Sequence, residues 1–509
     1  MRPLLFITKW LNGLSGIRVT YSGLISFVTI LCSIITGTIF TVIVTRRLDP
    51  SEFALWSLIG SLFVFVMIFD PITSFWTHRQ VARNEKVAVT AIGGNSIFSV
   101  AGIIIYIGIS VFLAYTTDAN LAILLFGALM IPFVYIIKIV RGITGSYKPQ
   151  GNGYSLMISE MTKIPVGLAL VYFLDMGIIG AITTTIVASS AQLLFFIYYI
   201  NEKFREKFSL QVFKSWLKTS WLSLYNGNTG RFSELDVVIY SSFFGNVGGL
   251  VYVGVGKTLG NLVAMSSYLS TGLFPKLIAT KQSEYIPALL KRTLFFGIPL
   301  LCLVLVFSKP GLWILNPLYA DGIAVVIVWS FSQFIFVFVG IFSSSLQSLE
   351  AVDEKINPTF KDFIKSKLFF VPTIDHIFRI IYLLILISFF AISANQGFSE
   401  VNTIFLWGAA LLIINTGMLT IYWTKLKKQV SFKFPISLLI KYFVVGSVSS
   451  ILTFFLMDQF LEYHESIFDF FPNLIPFLIL QLGIYFIITI LWDKETKNFV
   501  LSILREIKR

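Results

Sequence analysis

The chain has 509 residues, of which 56% are hydrophobic and only 13% charged, with a mean hydropathy of +0.83. Soluble domains carry about 25% charged residues, so an ordinary globular protein is excluded, and helix-length apolar runs exclude an outer-membrane barrel built of ~10-residue alternating strands. The net charge of +13 reads as membrane topology plus affinity for anionic lipid headgroups, and no nucleic-acid partner is expected.

Residues 1–20 form a basic, polar segment without the short apolar core and small-residue cleavage site of a signal peptide, so Gly23 to Val44 is expected to stay as the first span. With ~20 apolar residues needed per span, hydrophobic segments fall at 21–45, 53–76, 91–115, 119–140, 155–174, 177–200, 216–244, 247–274, 293–314, 320–348, 368–393, 401–424, 436–459 and 471–492. No insert between them is long enough for a soluble domain. If the amino terminus is cytoplasmic, 32 of the 39 basic residues fall on the cytoplasmic side and only Arg46, Arg47 and Lys309 on the other. The outer loops are acidic, with Asp118, Asp175, Glu400, Asp458, Glu462, Glu465 and Asp469. The positive-inside rule therefore predicts an all-α polytopic membrane protein with about 14 transmembrane helices and both termini in the cytoplasm.

Charged residues inside the spans are the candidates for function, because each is expensive in lipid. In the second span, Asp70-Pro71 breaks the helix midway and His78 and Arg79 end it. Arg141 and Lys148 follow the fourth span, as basic anchors or as substrate contacts. In the fifth, Glu160 and Lys163 are three residues apart ahead of Pro165, forming either a paired helix end or a gate. The seventh is the most unusual: Asn226-Gly-Asn-Thr-Gly-Arg-Phe-Ser-Glu-Leu-Asp236 lies between apolar Trp216–Tyr225 and Val237–Phe244, with Arg231 near its centre.

A charge at mid-bilayer costs at least ~3 kcal/mol, so this stretch is expected to face protein or water. Its two glycines loosen the helix where the polar groups cluster. Asn226 and Asn228 are candidate cavity residues. Arg231 either faces the cavity or pairs with Glu234 at i+3, and Asp236 acts in gating or pairing. Lys257, halfway along the eighth span, either pairs with Asp236 or lines the cavity. In the eleventh span Asp375, His376 and Arg379 are expected to pair among themselves, and Lys355 to Lys367 reads as an interfacial amphipathic helix. Cys32 and Cys302 sit in apolar runs and the three histidines are scattered, so no metal site is expected. No phosphate-binding loop occurs, and no cofactor and no enzymatic activity are expected.

An internal repeat links Asp49–Trp56, between the first two spans, to Gly245–Tyr252, six spans later. That even separation keeps the copies in one orientation. The organisation becomes a first six-helix lobe (21–200), a cytoplasmic linker (201–215), a second lobe (216–424), two extra helices (436–492) and a basic tail (493–509).

Thr45-Arg-Arg-Leu-Asp-Pro-Ser-Glu-Phe-Ala-Leu-Trp56 resembles the first-loop signature R-x-L-G-P-x-x-[FY]-G-x-[YW] of the polysaccharide-biosynthesis (O-antigen-type) flippases of the multidrug/oligosaccharidyl-lipid/polysaccharide exporter superfamily. Leu235 to Lys257 resembles the family's seventh-to-eighth helix stretch, with Asp236 at its acidic position. Phe274-Pro-Lys-Leu and Leu315-Asn-Pro-Leu-Tyr-Ala320 resemble the segments ending span 8 and preceding span 10. The resemblance covers most of residues 20–350, although Asp49 and Ala54 stand where the signature has glycine.

The resemblance implies two lobes in a V around a central cavity that opens alternately to either side of the cytoplasmic membrane. It also implies an oligosaccharide on a polyprenyl (di)phosphate as cargo, moved from inner to outer leaflet, with glycosyltransferases and a polymerase of the same pathway as partners. Arg79 falls where that family commonly has an arginine. On this reading Arg231, with Lys257 and Arg79, meets the phosphates, since a guanidinium binds two oxygens in one fork. The alternatives are a cation-coupled drug or organic-solute antiporter of the same superfamily and a non-transporting scaffold of envelope glycan assembly. A scaffold would gain nothing from the insertion cost of its mid-membrane charges.

Overall fold

The computed structural model describes residues 19–48, 52, 55–56, 59–60, 62–63, 66–116, 120–227, 229, 235–244, 249–315, 317–355, 358–430, 434–464, 466–492, 496–498 and 500–501. Every regular element among them is helical, as long apolar segments require when backbone groups have no water to bond. Eleven of these helices are long and apolar enough to cross a membrane. They coincide one for one with the predicted segments 91–115 to 177–200 and 247–274 to 471–492. The first predicted segment lies within a 29-residue helix, Val19–Arg47. The second and the seventh include residues outside the description, as do both predicted cytoplasmic termini and much of the two repeat copies.

The chain forms two compact units. The first comprises residues up to Asn228 together with Phe274–Lys281, and the second comprises Thr229–Leu273 and the chain from Gln282 onward. In the first unit the helices are α1 (Val19–Arg47), α2 (Pro71–Ala82), α3 (Ala88–Thr116), α4 (Leu121–Tyr147), α5 (Gln150–Gly167), α6 (Gly177–Tyr199), α7 (Leu210–Lys218) and α8 (Ser220–Gly227). The predicted break is present. A three-residue turn, Met67–Phe69, ends at Asp70, and Pro71 occupies the first position of α2, where no amide hydrogen is needed.

The helix α7 departs from expectation. Trp216 was placed at the start of a span, but α7 is a separate amphipathic helix whose Phe213 and Trp216 are buried while Lys214, Leu217 and Lys218 are exposed. Trp216 donates its indole N–H to Gln80 Oε1 at 3.0 Å. Only Lys218, Thr219 and Ser220 separate the last apolar residues of α7, Trp216 and Leu217, from Trp221 and Leu222 of α8, so the end of α7 reads as the start of the next segment. Gly227 ends α8 against Pro71, and a Cβ there would lie 2.4 Å from the proline ring.

The second unit contains α9 (Leu235–Phe244), α10 (Leu250–Ala264), α11 (Tyr285–Val306), α12 (Ile323–Ser348), α13 (Lys367–Gln396), α14 (Glu400–Lys427), α15 (Ile436–Phe460) and α16 (Ile467–Trp492). The turn between α13 and α14 is set locally. Gly397 takes a left-handed φ of 65°, and Ser399 Oγ accepts the Asn402 amide at 3.3 Å. The centre of this unit is aromatic, with Tyr240, Phe390, Trp329 and Trp407 buried and in mutual ring contact. Such pairs contribute ~0.5–1.5 kcal/mol each beyond the area they bury.

Candidate functional site

In the second unit five helices converge on a cavity of about 360 Å³. Its lining follows from helical spacing. Lys257 and Asn261 are one turn apart on α10, Trp329, Ser332, Gln333 and Phe336 share one face of α12, and Leu411 and Asn415 are one turn apart on α14. Asp236, in the first turn of α9, and Arg379 on α13 complete it. Two cations and one carboxylate thus face a space otherwise lined by carboxamides, a hydroxyl and aromatic rings.

Each polar group has a defined support. Asp236 is 5% exposed and accepts a hydrogen bond from the Tyr382 hydroxyl at 2.9 Å, and Tyr382 in turn accepts the Trp407 indole N–H at 2.6 Å. Asn415 Nδ2 donates to Ser332 Oγ at 3.0 Å, fixing the carboxamide on the floor of the cavity. Lys257 is exposed into this space, and among the described residues no ion pair joins it to Asp236. Of the two alternatives for Lys257, the cavity-lining one matches this geometry. The buried carboxylate takes a hydroxyl donor from α13, which leaves the lysine to the cavity.

The expected cluster of Asp375, His376 and Arg379 gains a further partner from the next helix. Asp375 accepts the hydroxyl of Tyr422 from α14, and Arg379 turns to the cavity, its buried Nε without a hydrogen-bond partner among the described residues. An arginine with an unmet donor beside an open space is suited to receiving an anion.

The first unit holds a separate polar network. Lys138 on α4 pairs with Asp70 at 2.9 Å, and Asp70 also accepts Ser74 Oγ at 3.1 Å. Lys138, counted with the cytoplasmic charges, is thus well inside α4 and tied to a buried carboxylate. Arg79 is 1% exposed, so it is not displayed to headgroups. Glu160 and Lys163 form the local pair at 3.0 Å, joined by Thr36 Oγ1 on α1 at 3.1 Å. The Tyr147 hydroxyl donates to Glu202 at 2.6 Å and, together with Lys148 at 2.9 Å, holds the Glu202 carboxyl below its usual range. Asn226, near the end of α8, is partly buried and engaged with its neighbours. Asn228, Arg231 and Glu234 lie outside the described residues.

Sequence reasoning therefore reached Asp236 and Lys257 but missed Asn261, Gln333, Asn415 and Tyr382. A polar residue one turn away inside an apolar helix was the signal available for Asn261 (Lys257) and Gln333 (Ser330), while Asn415 is flanked one turn away only by Leu and Met.

No protein-family model matches the chain, and no curated protein matches it. Solved structures do. A MATE protein in the straight conformation superposes with a TM-score of 0.65 at 11% identity, covering 82% of this chain and 98% of that one. The outward-facing conformation of a multidrug resistance MATE family transporter of the MOP superfamily gives 0.64 at 11%, covering 80% and 94%. The Vibrio cholerae MATE transporter VcmN in the bent form gives 0.62 at 12%, covering 83% and 98%. At such identities the agreement is one of architecture, and the chain has the fold of the MATE transporters.

Proposed function

We propose that this multi-pass protein is an alternating-access transporter whose cargo has an anionic, hydroxyl-rich head. The cargo is a polyprenyl-(di)phosphate-linked oligosaccharide, carried from the inner to the outer leaflet of the cytoplasmic membrane. The observation that supports this reading is the cavity of the second unit, where Lys257 and Arg379 face one carboxylate, Asp236, that is already occupied by Tyr382. A diphosphate can draw on both cations. Asn261, Gln333 and Asn415 supply donors and acceptors for hydroxyls, and Trp329 and Phe336 supply flat apolar faces. The volume suits the phosphates and the first sugar, while the isoprenoid tail would stay in lipid.

A second reading is cation-coupled antiport of a drug or organic solute. It draws on the MATE fold, since one matching structure is described as a multidrug resistance transporter, and on the buried Asp236, which could exchange a cation. The two readings separate in cells lacking the protein. Under the first, lipid-linked oligosaccharide accumulates facing the cytoplasm and surface glycan falls. Unchanged lipid-linked pools together with altered drug susceptibility would replace the first reading by the second. Glycosyltransferases and a polymerase acting on the same glycan are the partners the first reading requires.

A further inference from the structure

The first unit carries a cationic face of its own, on α4. Lys138 and Arg141 are three residues apart and both exposed, while Ile137, Ile139 and Val140 around them are buried. Residues at this spacing share a helix face, ~5–6 Å apart at Cβ. Asp70 has a side chain only 1% exposed, against 52% for Lys138. A lysine bonded to an inward carboxylate does not point into lipid, and Arg141 lies one residue beyond the predicted span 119–140, where its charge can reach water. Arg141 Nη2 is oriented by Gln192 Oε1 at 3.3 Å, and Gln192 by Ser155 at 3.2 Å.

We propose that Lys138 and Arg141 form a phosphate- or diphosphate-binding site on the first unit, with Asp70 as a resident counter-ion that the arriving anion displaces from Lys138. The ammonium carries three donors and spends one on Asp70, so an anion can approach the exposed side before the exchange is complete. Asp70 does not become bare afterwards. Ser74 Oγ at 3.1 Å and Asn95 Nδ2 at 3.4 Å still donate to it, and Asn95 is itself fixed by the Tyr135 carbonyl at 2.7 Å. The helix break at Asp70-Pro71 ties this exchange to a backbone position where α2 begins. The inference rests on the reading that the cargo is anionic.

The test uses the full chain in detergent, titrated by calorimetry with farnesyl diphosphate and with inorganic diphosphate. In a K257Q/R379Q background, which disables the cavity of the second unit, diphosphate binding persists. Adding K138Q or R141Q weakens it roughly tenfold, the scale of losing one hydrogen bond to a charged group. Adding D70N instead, which removes the competing carboxylate, tightens it several-fold. The charge-neutral D70N/K138Q pair binds as weakly as K138Q, and R141Q reports on the site without disturbing the buried carboxylate.

If Lys138 only neutralised Asp70, D70N/K138Q would restore binding and D70N would not tighten it, and either result overturns the proposal. Binding by the wild type that vanishes entirely in K257Q/R379Q overturns this site and leaves the anionic-cargo reading standing. No saturable binding by the wild type overturns both. Tighter binding of the farnesyl ester assigns the site to a lipid-linked head, and equal affinities assign it to free phosphate-class anions.

Discussion

Tyr382→Phe removes a single hydroxyl from the interior of the second unit and leaves the ring, so aromatic packing and buried area stay the same. Tyr382 and Trp407 are both 0% exposed, and the hydroxyl links Trp407 to Asp236 through bonds of 2.6 and 2.9 Å. Its loss strands a buried indole N–H, which costs ~1–3 kcal/mol, and takes from the carboxylate a charge-assisted bond contributing ~1.5–3 kcal/mol. Asp236 keeps other contacts, which favours the lower end of these ranges, about 3 kcal/mol in all. Reversible unfolding in mixed micelles measures the cost. A cycle with Trp407→Phe tests its origin, because the double variant should cost at least ~1 kcal/mol less than the sum of the singles. A Tyr382→Phe protein within ~0.5 kcal/mol of wild type, or strict additivity in the cycle, would refute the linkage.

Gly227→Ala should destabilise by roughly 1–3 kcal/mol, since a Cβ placed 2.4 Å from the Pro71 ring meets a group that cannot rotate away. Gly254→Ala, with nothing within 4 Å of its Cβ, should be neutral or stabilising by up to ~1 kcal/mol, and thermal unfolding compares the two. Lys257→Gln and Arg379→Gln should abolish transport while unfolding midpoints change little, because among the described residues neither side chain makes a salt bridge; loss of abundance instead would point to a structural role. For Glu202, a depressed folded-state pKa means its contribution is present above the ordinary value of 4.5 and is lost as pH falls through the lowered one. Glu202→Gln should therefore flatten the acid limb of thermal stability below about pH 4.5 and leave neutral pH almost unchanged. An acid limb as steep in the variant as in wild type would contradict this.

The helices were legible because an apolar run of ~20 residues in lipid has almost one solution, and the break at Asp70-Pro71 was legible because proline has no amide hydrogen. The amphipathic helix α7 was not, since only Lys218, Thr219 and Ser220 separate its last apolar residues from those of the next helix. At the candidate site, the charges Asp236 and Lys257 stood out as costly in a span, yet their partners did not. Asp236 meets a tyrosine 146 positions away, and nothing local to either residue encodes that contact. Arg379 illustrates the same limit. Its neighbours in sequence, Asp375 and His376, suggested a local cluster, but neither the Tyr422 hydroxyl that Asp375 accepts from the following helix nor the cavity that Arg379 lines was legible there. The carboxamides were visible only as polar residues inside apolar helices, which counts equally for helix packing and for a binding face.

Transbilayer movement of a lipid-linked oligosaccharide in reconstituted vesicles tests the central claim most directly. With the glycan labelled by a fluorophore that a membrane-impermeant reductant bleaches, wild-type protein should expose the inner-leaflet pool to bleaching. Lys257→Gln/Arg379→Gln protein should leave that pool protected. An inner pool that stays protected with active wild-type protein, in vesicles where the same protein moves a cationic dye in the direction opposite to the flow of an imposed proton or sodium gradient, would contradict the account and establish antiport in its place.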